Sequence, residues 1–171
     1  QCINFSRDLI NSPANKLSPL FYYTKIKNNQ MFKKFNFVEH SEKDIGTQFP
    51  LTYAVGKSSS VKPKVIEITN KKILQKDKPL VIIGKGVTFD TGGVNIKPGN
   101  SMRNMKKDMG GSAIAISLFL LANYLLKKTK IVLIAPLAEN SVSSKSMRPG
   151  DVYKSASGKS VEIAHTDAEG R

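Results

Sequence analysis

Residues 109–128 are apolar on nearly every side of a helix, and they lie between two β-branched runs at residues 80–83 and 131–136. A helix without a polar face needs burial, and short β-branched runs bounded by charged or proline-containing turns read as strands. The order strand, helix, strand predicts a right-handed crossover in an α/β sheet. Small Gly110, Gly111, Ser112 and Ala113 permit close packing where the helix begins. Its most apolar part, residues 114–126, is shorter than the roughly 20 residues a membrane span needs and contains Asn123 and Tyr124. A buried core helix is expected, and no membrane partner.

The flanks add smaller elements. Residues 2–10 read as the end of a helix stopped by Asn11-Ser12-Pro13, and Ser18-Pro19 starts another that reaches about Asn29. A short strand is expected at 34–39 and a short helix from Ser41 to Gly46. Residues 51–55 lead into Ser58-Ser59-Ser60, read as an exposed connector. Residues 65–69 and 80–83 read as neighbouring strands, and 152–153 and 160–165 as short strands after a turn at Arg148-Pro149-Gly150-Asp151. With Gln1 at its start and a motif dense in functional side chains at Arg171, the chain reads as a fragment of one domain.

Lys and Arg number 27 against 13 Asp and Glu, a formal charge of +14. Such a surplus attracts nucleic acid. The lysines are nevertheless spread along the chain, with no RNA-binding aromatic signature and no recognition-helix pattern. Cys2 is the single cysteine, which excludes an internal disulfide and a cysteine-based zinc site and fits a reducing cytosol.

The chemistry concentrates in Gly84-Lys85-Gly86-Val87-Thr88-Phe89-Asp90-Thr91-Gly92-Gly93, in Asp108, and in Asp167-Ala168-Glu169-Gly170-Arg171. A glycine-flanked lysine, four carboxylates and an arginine can hold two hard divalent ions and stabilise charge at an attacked carbonyl. In extended backbone Asp167 and Glu169 point to one side, and Asp90, in a glycine-rich turn, and Asp108 face them from the opposite wall. Four carboxylates without cations would raise one another's pKa values; divalent ions favour the ionised forms. The same ions favour a neutral Lys85 whose lone pair could be a ligand, the competing reading being a protonated Lys85 paired with a carboxylate. Lys85 and Asp167 are expected just past the ends of separate strands, where ligands bind open α/β sheets.

Nucleotide motifs fail by position. Phe89 stands where the third glycine of a dinucleotide fingerprint belongs, and Tyr153 where the first glycine of a P-loop belongs. His40 and His165 form no His-Glu-x-x-His pair, there is no Gly-x-Ser-x-Gly elbow, and each histidine is read as structural or on the surface.

The sequence resembles the leucyl aminopeptidase family of dinuclear metalloaminopeptidases. Besides the glycine-rich block, the carriers are Lys97, Met105-Lys106-Lys107-Asp108-Met109-Gly110-Gly111, Ala138-Glu139-Asn140, Arg148-Pro149-Gly150-Asp151-Val152 and Thr166-Asp167-Ala168-Glu169-Gly170-Arg171. Arg7-Asp8-Leu9-Ile10-Asn11-Ser12-Pro13-Ala14-Asn15 is similar to the start of that family's catalytic domain, so the likeness covers nearly the whole chain.

The resemblance implies a three-layer α/β/α sandwich around a mixed sheet. Residues 1–171 would be the N-terminal part of the catalytic domain, with the family's N-terminal domain and the rest of the catalytic domain absent. It implies two divalent ions, Mn²⁺ or Zn²⁺ with Mg²⁺ or Co²⁺ also able to serve. Lys85, Asp90, Asp108 and Glu169 would surround one ion and Asp90, Asp167 and Glu169 the other, and a water activated by both would attack the carbonyl. By the same resemblance Lys97 polarises that carbonyl and Arg171 holds a bicarbonate acting as general base. The implied protein is a cytoplasmic homohexamer that removes leucine-like N-terminal residues from peptides. His165 departs from the family, which usually has Asn there. The alternatives are a noncatalytic nucleic-acid-binding protein and an inactive truncated homologue.

Overall fold

The computed structural model describes residues 2–74 and 76–170. Five strands form a mixed sheet around β5 (Ile131–Asn140). On one side β2 (Lys64–Thr69) pairs with β5 antiparallel and with β1 (Asn36–Val38) beyond it; on the other, β3 (Leu80–Ile83) and β4 (Gly86–Asp90) both run parallel to β5. The runs expected to be neighbours, β2 and β3, are thus separated by β5. Its ten residues extend past the expected end at Pro136 and make it long enough to pair with both β3 and β4.

β3 and β4 are two parts of one line along β5, with Ile83 opposite Ile134 and Gly86 opposite Leu137. By that register Lys85 falls opposite Pro136, which has no N–H to give, so the ladder breaks there. The Lys85 carbonyl instead accepts the Ser112 N–H at 2.8 Å, from the first turn of α5 (Gly110–Leu125). Lys85 therefore sits at a break between two strands, and the expected glycine-rich loop after it is strand β4. Asp90 is the last residue of that strand.

Side chains along β5 alternate between faces. Ile131, Leu133, Ala135 and Leu137 enter the main core with Phe119 and Ile116 of α5, Leu9 of α1 (Cys2–Asn11), and Tyr22 and Ile26 of α2 (Pro19–Lys27). Ala138 on the other face packs with Met147 and with Val55 of α4 (Pro50–Gly56). Helices on both faces give the three-layer α/β/α arrangement. Burial of the large core side chains stabilises by about 1.5–3 kcal/mol each before the entropy of ordering is counted. Only one face of α5 is buried: Ile114, Leu118, Leu121 and Leu125 form an exposed stripe, so the expected all-round burial is not found among the described residues.

The short elements reflect local chemistry. α3 (Glu42–Gln48) begins at a capping box in which the Asp44 N–H donates to Ser41 Oγ and the Ser41 N–H donates to Asp44 Oδ2. α2 ends at Lys27, two residues short of expectation. Residues 51–55, left without a structure by sequence, are helical in α4, where Pro50 occupies the first turn. The serine connector is not exposed throughout: Ser58 and Ser59 are buried, and Ser58 Oγ donates to the Val55 carbonyl and accepts the Ser141 N–H. β6 (Val152–Lys154) and β7 (Ser160–Glu162) form a separate hairpin, with β7 ending earlier than expected. Asp167 therefore comes after a run of turns, not at a strand end.

Candidate functional site

Asp90 and Asn140 terminate the parallel strands β4 and β5 at the same end of the sheet, the end at which open α/β sheets receive ligands. The turn carrying Thr166, Asp167 and Glu169 lies across that end. Asp90, Asp167 and Glu169 each bring one carboxylate oxygen to within 4.8 Å of the other two. Asp167 and Glu169 reach this cluster from turns, so the extended geometry expected of them is not what brings them together.

Two lysines enter the cluster. Lys85 Nζ is 2.7 Å from Asp108 Oδ2 and 2.8 Å from Glu169 Oε1; Lys97 Nζ is 3.0 Å from Asp90 Oδ2 and 2.5 Å from Asp167 Oδ1. Asp108 lies between a short 3-10 turn (Met105–Lys107) and α5, which places it beside Lys85. The Glu169 side chain is 1% exposed and that of Asp90 3%, whereas Asp108, Asp167 and Lys85 stay partly open to solvent at 20%, 26% and 35%, so the cluster has an enclosed centre and an accessible rim.

Burial disfavours charge on Lys97, but Asp167 and Asp90 outweigh it and hold the ammonium well above the usual lysine range. Lys85 is likewise pulled down by burial and raised on balance by Asp108 and Glu169. Burial pushes Glu169 upward, only partly opposed by Lys85 and reinforced by Asp90. Asp90 is lowered on balance: its desolvation is outweighed by the Gly92 N–H, Lys97, Asn140 and Asp167. With Nζ 2.7 Å from Asp108 Oδ2 and 2.8 Å from Glu169 Oε1, Lys85 is placed as an ammonium ion pair.

Asp108 Oδ2 and Glu169 Oε1 are buried and face the Lys85 ammonium as an ion-pair partner, yet among the described residues neither has a partner in hydrogen-bond geometry. Unsatisfied buried acceptors are costly and uncommon. A set of hard oxygen donors with two such acceptors suits a divalent cation, whose ligation needs no directed N–H. Glycine keeps the space open: a Cβ on Gly170 would lie 2.6 Å from Lys85 Cδ and Cε and 2.8 Å from its Nζ.

The segment between Asp90 and Lys97 doubles back, closed by the Lys97 N–H donating to the Thr91 carbonyl at 2.9 Å. Gly93 takes a φ of 66°, and a Cβ there would meet Thr166 Oγ1 at 2.9 Å. Sequence reading gave no role to Asn95, Asn140 or Thr166, which tie this segment to the acidic turn. Asn140 and Thr166 stood in motif blocks, and a polar residue ending a buried strand is a signal that could have drawn attention to Asn140.

Of the residues singled out by sequence, Lys85, Asp90, Lys97, Asp108, Asp167 and Glu169 come together, while Arg171 lies outside the described residues. His165 is exposed, and its Nδ1 accepts the Asp167 N–H at 3.1 Å. His40 is structural, with Nε2 2.8 Å from Glu67 Oε2 and its ring edge-on to Phe49.

The sequence pattern of the cytosol aminopeptidase family, catalytic domain, matches residues 4–171. Fold and cluster together are thus the framework of a peptidase catalytic domain. The Corynebacterium glutamicum protein named "Probable cytosol aminopeptidase" is 40% identical over 172 residues, covering 100% of this chain and 34% of its own length. A crystal structure of cytosol aminopeptidase from Coxiella burnetii superposes with a TM-score of 0.86 at 39% identity, covering 97% of this chain and 36% of that one. The bottromycin maturation enzyme BotP in complex with Mn gives 0.84 at 32% identity, covering 99% and 37%. The chain belongs to the cytosol aminopeptidase family, and it spans about a third of the length of the curated relatives it matches.

Proposed function

We propose that the protein releases N-terminal, leucine-like residues from peptides, using a centre of two divalent ions held by Lys85, Asp90, Asp108, Asp167 and Glu169. Residues 1–171 are the N-terminal part of its catalytic domain. The observation that carries this reading is the convergence of the Asp90, Asp167 and Glu169 carboxylates within 4.8 Å of one another, with Asp108 joined to Glu169 through Lys85. The family and the Mn complex of BotP support divalent metal, with Mn²⁺ or Zn²⁺ as the ions. When bound, such ions supply Lewis acidity and activate water at neutral pH.

The chain's own residues do the rest. Asp90 and Glu169, the most enclosed of the carboxylates, lie centrally and are the candidates to bridge. Lys97 is positively charged at neutral pH, as lysine ordinarily is, and presents that charge beside Asp90 and Asp167. Charge fixed there before reaction stabilises an oxyanion developing on the attacked carbonyl without reorganisation. Lys85 would serve as a ligand only after its ammonium had released a proton to water, giving up its ion pairs to Asp108 and Glu169, and Arg171 would hold a bicarbonate as general base. Capture of the free α-amine at this centre restricts cleavage to the N-terminal residue. Cytoplasmic location, suggested by the relatives' names, and a homohexamer complete the reading.

The test is Mn²⁺- or Zn²⁺-dependent release of leucine from leucyl amide by the full-length protein, beside Asp167→Ala and Glu169→Ala. Loss of at least about a hundredfold in both is expected, since each removes a ligand. A folded, metal-loaded wild type that releases no N-terminal residue from a panel of substrates would sink the proposal.

A further inference from the structure

β4 carries one extra residue against β5: Val87 faces Ala138 but Phe89 faces Glu139. Such a bulge shifts the register by one and re-aims the residues beyond it. Its effect here is to set Asp90 opposite Asn140. Asn140 is 2% exposed, and its amide donates to Asp90 Oδ1 at 2.8 Å and to the Thr166 carbonyl at 3.0 Å. One side chain thereby joins the strand that ends in Asp90 to the turn that carries Asp167 and Glu169. The Asn140 main chain is anchored too, its carbonyl accepting the Thr91 N–H at 3.0 Å and Thr91 Oγ1 at 2.9 Å.

A second link runs parallel to the first. Thr166 is fully buried; its Oγ1 donates to the Gly92 carbonyl at 2.6 Å and accepts the Asn95 N–H at 2.9 Å, while its own N–H donates to Asn95 Oδ1 at 2.9 Å. Gly92 and Asn95 belong to the segment between Asp90 and Lys97. Both acidic segments, and the lysine facing them, are thus held at one spacing by neutral side chains that belong to neither ion pair.

We propose that Asn140 and Thr166, with Asn95, are positioning residues of the metal centre. Resting on the two-ion reading above, the inference assigns Asn140 the task of engaging Asp90 Oδ1 so that Oδ2 alone faces the cluster, and Thr166 that of fixing how far Asp167 and Glu169 stand from Asp90. Groups that orient ligands from behind typically change metal affinity roughly 10- to 100-fold when removed. A role confined to satisfying buried polar groups would lower stability and leave the affinity of the folded protein unchanged.

The experiment titrates the full-length protein with Mn²⁺, monitoring free ion and the coupled two-ion signal by electron paramagnetic resonance at a temperature where each variant is folded. Asn140→Leu keeps the branched shape and removes both donors; Thr166→Val removes the hydroxyl and Thr166→Ser restores it. Expected are affinities reduced roughly 10- to 100-fold with a changed coupled signal in Asn140→Leu and Thr166→Val, and a value within about threefold of wild type in Thr166→Ser. Folded Asn140→Leu and Thr166→Val with wild-type affinity and signal overturn the inference. If Asn140→Leu does not fold, the valine and serine variants decide, and equal affinity in the two overturns it. A wild type that takes up no Mn²⁺ overturns the metal reading itself, an outcome distinct from normal uptake that is insensitive to these substitutions.

Discussion

Gly170 touches the site through what it lacks. A methyl group there would lie 2.6 Å from two carbons of the Lys85 side chain, whose far end is flexible and can swing aside. If Lys85 is a ligand as proposed, Gly170→Ala leaves the melting temperature nearly unchanged and lowers Mn²⁺ affinity about tenfold, by displacing Lys85 from its place. Titration together with a thermal melt checks both halves; unchanged affinity would mean Lys85 does not need the position it holds here. At this scale the sequence was most informative, because charged residues in glycine-rich blocks declare their chemistry by type. What it withheld was the neutral support. Asn95, Asn140 and Thr166 act through hydrogen bonds spanning up to 74 positions of sequence, and no local pattern marks such partners.

Among the elements, the long helix and central strand were legible as sustained apolar runs, told apart by length and by β-branched content. β4 was hidden: Gly86, Thr88 and Asp90 look like a turn, and it is pairing with β5 that makes them a strand. α4 was missed for a similar reason, since seven residues are too few to show a helical repeat. Energetic weight tracks burial. Leu133 is fully buried at the centre of β5, so Leu133→Ala destabilises by roughly 2–5 kcal/mol. Leu118→Ala, on the exposed stripe of α5, changes stability by only about 0.5 kcal/mol or less. Urea unfolding of the two variants measures the contrast, and equal effects would contradict the assignment of the buried face.

For the molecule as a whole, strand order could not be read from the chain. Sequence neighbours β2 and β3 are parted by a strand that lies dozens of residues further along, and only the sheet itself reveals this. Net charge was equally silent about the site: the chain carries +14, yet its functional end gathers carboxylates. The two lysines that answer those carboxylates have a further consequence. Because Lys97 spans Asp90 and Asp167, and Lys85 spans Asp108 and Glu169, the acidic centre has internal counterions before any metal arrives. On the proposed two-ion reading, an ion that takes Lys85 as a ligand must displace its ammonium from Asp108 and Glu169, while Lys97 stays in place. Stopped-flow mixing with Mn²⁺ should give a rate that levels off as concentration rises, whereas strict proportionality would show that entry meets no such competitor. A lysine that answers two carboxylates would, on that reading, also set the pace of metal uptake.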